Sequence, residues 1–309
     1  MYTNVCSMSA TVYRYRDVEV VEVAAKSVLN RVRNMPFRWS INPYQGCYHQ
    51  CVFCYARRTH AYRDLDGVNA WGNRIFAKVN APAVVRDELR RPSWTNECVA
   101  LGTATDPYQA IEGRYRITRG ILTELERAAT PVSIVTRSPL IVRDLDLLVS
   151  LAHRAAVSVY ISLPTVDEHL AKEIEPTVAP PAQRLRTIGR LAQAGLRVGV
   201  LVAPVLPHLN DSGVALSSTI AAAADAGAAF VTHTLLYLGE VTRDAYFHYL
   251  EERHDDLLAP YRELYGATYA PPEFARTIAQ RFANARQAIR FSPPPFIRPR
   301  ANDVQLRLW

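Results

Sequence analysis

Three cysteines, Cys47, Cys51 and Cys54, fall within eight residues of a 309-residue chain that contains five cysteines in all. Thiolates are the ordinary ligands of iron–sulfur clusters. Three of them on one short loop can cap three irons of a [4Fe–4S] cube and leave the fourth iron open to a substrate or cofactor. Gly46 lets the chain turn into the first of them without a Cβ clash. Structural zinc is the competing chemistry. It needs four ligands, and His49 or His60 would have to complete the set, because Cys6 and Cys98 stand alone. A chance group of core cysteines is the third possibility, and it accounts least well for Gly46 and the polar neighbours. The odd count and tight spacing do not make a disulfide framework, so the chain reads as a reduced, cytoplasmic protein.

The loop must be held by a scaffold, and the surrounding pattern describes one. Strand-like runs recur at Arg38–Asn42, Cys98–Thr103, Val132–Thr136, Val157–Leu163, Arg197–Ala203 and Ala229–Leu236. Between them lie segments with helix punctuation. Pro82 opens one that runs through Leu89, Thr118 precedes Ile121 and Leu125, and Asp144 precedes Leu148 and Ala152. Pro181 and Gly195 bracket another, as do Ser212 and Gly227. Six strand–helix alternations predict an α/β fold with a parallel sheet, closed or partly closed into a barrel, with an open doubly wound sheet as the other candidate. Either architecture places its ligand site at the C-terminal strand ends. The cysteine loop directly follows the first strand.

We divide the chain into an N-terminal extension (1–35), a barrel unit (36–245) and a C-terminal helical segment with a proline-rich tail (246–309). The alternation at Val18–Val23 predicts a strand or hairpin arm. Asp244–Asp256 and Pro272–Ala288 read as helical, and the tail from Ser292 is expected either to pack in extended form over the domain or to form a flexible end.

Composition narrows the function classes. Hydrophobic residues at 49% and charged residues at 21% describe a globular chain with a core and argue against large-scale disorder. The longest apolar run, near Val198 to Leu206, contains Gly199 and Pro204 and falls far short of a membrane span. No secretory signal pattern opens the sequence. The charge is +7, and the arginines are scattered, which permits an anionic partner such as nucleic acid without requiring one.

The Cys-x3-Cys-x2-Cys spacing resembles that of the radical S-adenosylmethionine (SAM) superfamily. Asn42-Pro43-Tyr44 before Gly46-Cys47, and Tyr55-Ala56-Arg57 after Cys54, are similar to the branch that contains spore photoproduct lyase. So are Leu101 to Gln109, Thr136-Arg137-Ser138, Ser162, Val202 to Val205 and Thr234 to Leu236, in order along roughly residues 38–245.

The resemblance implies a partial (β/α)6 barrel whose [4Fe–4S] cluster is held by Cys47, Cys51 and Cys54, with SAM chelating the fourth iron. It further implies Phe53 against the adenine, Gly102, Thr103 and Thr105 near the methionine part, Arg137 on the SAM carboxylate and Ser162 on the ribose or a SAM polar group. Val202-Ala203-Pro204 would line the adenine pocket. Arg137 could equally cap a strand end, Ser162 serve a turn, and Asp106-Pro107-Tyr108 form a local turn. A salt bridge suffices to explain Glu175 and Arg184, and His49 is expected to lie behind the ligands or face solvent.

One electron, from a donor such as a flavodoxin or ferredoxin, would release a 5′-deoxyadenosyl radical. Spore photoproduct lyase repairs a thymine dimer and uses a cysteine after its second strand as hydrogen donor. Here Thr103-Ala104-Thr105-Asp106 has no cysteine, which sets that reaction in doubt. Tyr108, Tyr115 or Tyr237 could relay a radical instead, or simply pack. Three function classes follow: a radical SAM enzyme of unidentified substrate, a nucleic-acid repair or modification enzyme using that chemistry, and a non-catalytic zinc or iron–sulfur module.

Overall fold

A computed structural model of the protein describes residues 11–68 and 70–299. The main sheet contains six parallel strands, Trp39–Ile41, Val99–Leu101, Val132–Thr136, Val157–Ser162, Arg197–Val205 and Phe230–Leu235, side by side in chain order. A short antiparallel strand, Asn30–Arg31, borders the first. Each expected run appears as a strand, with the fifth extended to Val205. Among the described residues no strand pairs the far edge of Phe230–Leu235. The sheet is therefore an open, partial (β/α)6 barrel.

Side chains alternate between the two faces of each strand. Val132, Ile134, Val157, Val159, Ile161, Val198, Val200 and Val202 point outward and are buried with the helical residues Ile121, Leu125, Leu148, Ile188, Leu191 and Ile220. Such a side chain contributes about 1.5–3 kcal/mol when fully buried. The other face mixes serines such as Ser133 and Ser158 with larger apolar and aromatic residues. There Val135, Tyr160, Gly199 and Phe230 stand in register across four strands. Tyr160 meets Phe230 edge to face at 5.3 Å, directly over Gly199. A Cβ on Gly199 would come within 2.2 Å of the Phe230 ring, so only glycine leaves that ring room to close the barrel's floor. One layer higher, at the C-terminal strand ends, the interior is open.

The connecting helices are Ala81–Leu89, Ile117–Arg127, Leu145–Ala152, Pro181–Gln193 and Gly213–Asp225. Ser212 caps the last through the Ala215 amide, as its position suggested. Thr118 behaves differently from a cap. It sits inside its helix, and buried Glu112 from the preceding turn takes the Thr118 and Arg119 amides instead.

The hairpin arm expected at Val18–Val23 is present, and it belongs to a second sheet that the sequence pattern did not reveal. Val12–Tyr15 and Val18–Val23 form a hairpin, and Val18–Val23 runs parallel to Arg74–Lys78, which pairs with Tyr44–Gln45. The last pairing matters for the site, because Tyr44–Gln45 leads straight into Gly46. The C-terminal helices Glu240–Arg253 and Asp255–Leu264 bring Tyr246, Leu250, Tyr261 and Tyr265 into one apolar cluster with Cys51 and Phe53. Helix Pro272–Gln287 covers the sixth strand, where Phe282 stacks on His233 at 4.2 Å. The tail packs in extended form through residue 299, with the Ile297 amide donating to the Gly195 carbonyl at 2.7 Å. Cys6 and the tail beyond residue 299 lie outside the described residues. Among the described residues no helix is long and apolar enough to cross a membrane.

Candidate active site

The cysteine loop hangs over the open end of the barrel, where one cavity is bordered by Cys47, Cys51 and Cys54 together with residues from four strand ends. Backbone geometry makes the loop possible. Gly46 adopts φ +83°, and a Cβ there would lie 2.6 Å from the Arg74 carbonyl oxygen. The loop is then braced from the stretch after the second strand. Thr105 Oγ1 donates to the Gly46 carbonyl at 2.7 Å, Gln109 Nε2 donates to Thr105 Oγ1 at 3.0 Å, and the Tyr48 amide donates to Gln109 Oε1 at 2.8 Å.

Asp106 is the hub of this brace. Its buried carboxylate accepts from Thr136 Oγ1 at 2.7 Å, the Arg137 amide at 2.7 Å and the Tyr108 amide at 2.8 Å, and it meets His49 Nε2 at 3.0 Å. Burial alone would raise its pKa. The His49 ring and the converging hydrogen bonds outweigh burial and hold the carboxyl below its usual range. Asp106 is thus more than a turn residue, since it ties the cysteine loop to the end of the third strand. His49 is not solvent-facing: its side chain is 8% exposed and its ring borders the cavity.

Burial dominates the thiols. It pushes Cys47 up to about 12, helped by the nearby Asp106 charge, and raises Cys51 and Cys54 as well. Burial outweighs the nearby guanidinium groups and favours the protonated thiols, so binding a metal centre there releases protons. The backbone supplies partial compensation. Cys47 sulfur receives the Asp106 and His49 amides, Cys54 sulfur receives those of Ala56 and Arg57, and Cys51 faces the Arg137 guanidinium.

Among the described residues no three His, Cys, Asp or Glu side chains close on one ion-sized position. The thiols border the cavity together with Phe53, Trp71 and Arg137. Trp71 Nε1 and His49 Nδ1 are buried at this cavity without a hydrogen-bond partner, as expected where a sulfur-rich group would sit.

Arg137 follows the third strand, Val132–Thr136, and borders the cavity beside Phe53 of the loop. Its Nε donates to Glu175 Oε1 at 2.7 Å, and Glu175 Oε2 lies 2.6 Å from Arg184 Nη1, so one fully buried carboxylate is wedged between two arginines. Burial works against the Arg137 charge, but Cys51 and Glu175 outweigh it and raise its pKa. The guanidinium lies 5.6 Å from the Phe53 ring centroid. Glu175 and Arg184 were legible only as a salt bridge; the structure shows that this bridge aims Arg137.

The remaining candidates separate by strand face. Phe53, Gly102, Thr103, Thr105 and Ala203 all border the cavity, as does Pro204. Val202 points outward into the helix-covered core. Ser162 is buried, its hydroxyl donating to the Ala203 carbonyl at 3.2 Å and its own carbonyl accepting from Arg184, and it is not on the cavity wall. Of the three tyrosines, only Tyr237 reaches the cavity. Tyr108 is buried in the main core, and Tyr115 donates to Glu22 on the second sheet. Sequence reasoning missed Trp71 as a cavity residue and gave no reason to join Asp106 with His49.

Comparison with known proteins agrees with this geometry. Residues 41–216 match the family model described as the radical SAM superfamily. The chain is 43% identical over 266 residues to the uncharacterized protein Rv2578c of Mycobacterium tuberculosis, covering 85% of this chain and 78% of that one. It is 26% identical over 194 residues to the uncharacterized protein MJ0683 of Methanocaldococcus jannaschii, covering 63% and 70%. The fold resembles that of spore photoproduct lyase complexed with dinucleoside spore photoproduct. The TM-score is 0.66 at 15% identity, covering 90% of this chain and 81% of the other. The superfamily's cofactors are a [4Fe–4S] cluster and SAM. Three thiols on a loop above the C-terminal ends of a parallel partial barrel, in a chain whose sequence matches that family over most of its barrel, lead to one conclusion: the protein belongs to the radical SAM superfamily and is an enzyme of that type.

Proposed function

We propose that Cys47, Cys51 and Cys54 hold the [4Fe–4S] cluster and that SAM fills the rest of the cavity. In this reading its carboxylate pairs with Arg137, its methionine part lies near Gly102, Thr103 and Thr105, and its adenine lies against Phe53 and Ala203. The barrel unit, residues 36–245, carries this site, and the helices Glu240–Arg253 and Asp255–Leu264 pack against Cys51 and Phe53 of its loop. Together the bound cofactors supply one-electron cleavage of the SAM S–C5′ bond, yielding methionine and a 5′-deoxyadenosyl radical that takes a hydrogen from substrate. The protein's part is to position the reactants and exclude water. The electron comes from a small cytoplasmic carrier such as a flavodoxin or ferredoxin.

The observation that carries this reading is the placement of three thiols, those of Cys47 and Cys51 buried and that of Cys54 half-buried, and Arg137 on the wall of one cavity. Protein reconstituted without oxygen is expected to hold four irons and, on reduction with dithionite, to release 5′-deoxyadenosine from SAM. Iron-loaded protein that yields none would sink the proposal.

A second feature favours a nucleic-acid substrate. Tyr55 and Tyr237 border the cavity with ring centroids 6.4 Å apart, and Tyr237 contacts Tyr269 at 5.2 Å. Tyr269 is 70% exposed, which leaves its ring accessible to a stacking ligand. Arg58 is exposed on the helical turn that begins at Tyr55. Tyrosines leading out of a site, with a basic neighbour and a chain charge of +7, suit stacking of single-stranded bases. A short single-stranded oligonucleotide should bind at low salt, lose affinity as salt rises, and bind roughly tenfold more weakly to Tyr269→Ala, about one stacked base. Binding indifferent to both would exclude this substrate class.

A further inference from the structure

Trp71 lies outside the cysteine motif, in the turn before Arg74–Lys78. The second sheet nevertheless delivers its indole to the cluster loop. The ring is 4% exposed and packs with Cys47, Cys54 and Ala56 in one small apolar cluster. Its plane is held from behind by the His60 ring, 5.1 Å away between centroids, and by the Arg57 guanidinium at 5.9 Å.

An indole nitrogen can only donate a hydrogen bond, and Trp71 Nε1 is buried without an acceptor. A phenylalanine would fill most of the same space with no donor to satisfy. The carbonyls of Gly67, Val68 and Cys51 accept from the Arg57 guanidinium that flanks the ring, and none of them pairs with Nε1. The acceptors missing at this wall are those a cluster would bring, its sulfides and cysteinyl sulfurs.

We propose that Trp71 Nε1–H donates a hydrogen bond to a sulfur of the cluster, either a sulfide or the Cys47 or Cys54 thiolate, and so raises the cluster's reduction potential. The reduced cluster carries one more negative charge, and a donor aimed at its sulfur stabilises that state more than the oxidised one. Trp71 is on this account a positioning and tuning residue rather than one that touches the reacting carbon. The inference rests on reading the cavity as the cluster site.

The test pairs a variant with a measurement on the unaltered protein. Trp71→Phe is expected to keep four irons and to show about a tenfold smaller equilibrium constant for one-electron reduction, a midpoint 59 mV more negative in an EPR-monitored titration. Unaltered protein grown with indole-15N tryptophan should show a 15N coupling to the reduced cluster in pulsed EPR, and that coupling should vanish in any iron-loaded Trp71→Phe sample. Iron-loaded protein with no such coupling, or with a potential unmoved by the substitution, overturns the assignment of Trp71 alone. Protein that binds no iron at all overturns the cluster reading and this inference with it. If Trp71→Phe loses its iron, the coupling in unaltered protein decides the matter.

Discussion

Cys51→Ala protein, reconstituted under argon, is expected to fold, to hold fewer than four irons, and to form 5′-deoxyadenosine at least about 10³-fold more slowly than the unaltered chain. That loss exceeds the 10- to 100-fold typical of changes behind a metal's ligands, because a ligand itself is removed. Cys51 is the best choice of the three on physical grounds. Cys47 and Cys54 each receive two backbone amides, so changing either disturbs loop hydrogen bonds as well as ligation. Cys51 depends on the Arg137 side chain instead. It is also buried beside Phe53 in the cluster built by the C-terminal helices, where an alanine leaves a cavity but no unpaired polar group. Iron analysis and product quantification on one preparation check the prediction. A variant with a full complement of iron and unchanged turnover would exclude Cys51 as a ligand.

The second large effect is expected at Arg137. A charge-assisted hydrogen bond to a carboxylate is worth about 1.5–3 kcal/mol, so Arg137→Ala should weaken SAM binding to the reconstituted protein by roughly 10- to 150-fold, read by calorimetry. The same change strips Glu175 of one of its two arginines and leaves a fully buried carboxylate oxygen unpaired. Stability should therefore fall by about 1–3 kcal/mol in a denaturant titration.

Arg137→Lys separates the two roles. It restores charge but cannot hold Glu175 and a ligand carboxylate with the edges of one planar fork, so it should recover only part of the affinity. Glu175→Gln keeps the Arg137 charge and removes its anchor, and should cost less affinity than Arg137→Ala. SAM affinity unchanged in Arg137→Ala would remove the residue from the binding site, whatever happens to stability.

These expectations rest on contacts of different origin. The cluster loop is local: Gly46 and the three cysteines lie within nine consecutive positions, so their spacing alone carries the ligand set. The parallel strands were equally legible, because β-branched runs followed by helix punctuation report backbone preference and burial residue by residue. The match to the superfamily followed from the same short-range features, repeated in order along residues 38–245.

The tertiary structure decided what depended on partners distant in the chain. Asp106 meets His49, and Arg137 meets Glu175, only because two strand ends and a later helix converge on the same loop. Trp71 reaches the cysteines because Arg74–Lys78 pairs with Tyr44–Gln45, a pairing that short runs of ordinary composition do not announce. Face was likewise undecidable from composition. Val202 and Ala203 are neighbours in sequence, yet one supports the helical layer and the other borders the cavity, since a strand turns successive side chains to opposite sides. Ser162 shows the same limit: its position was legible, but its hydroxyl's partner, the Ala203 carbonyl, was set by the adjacent strand. A sequence records residue types and spacing, whereas the partner that satisfies a buried charge is chosen by how the strands are brought together.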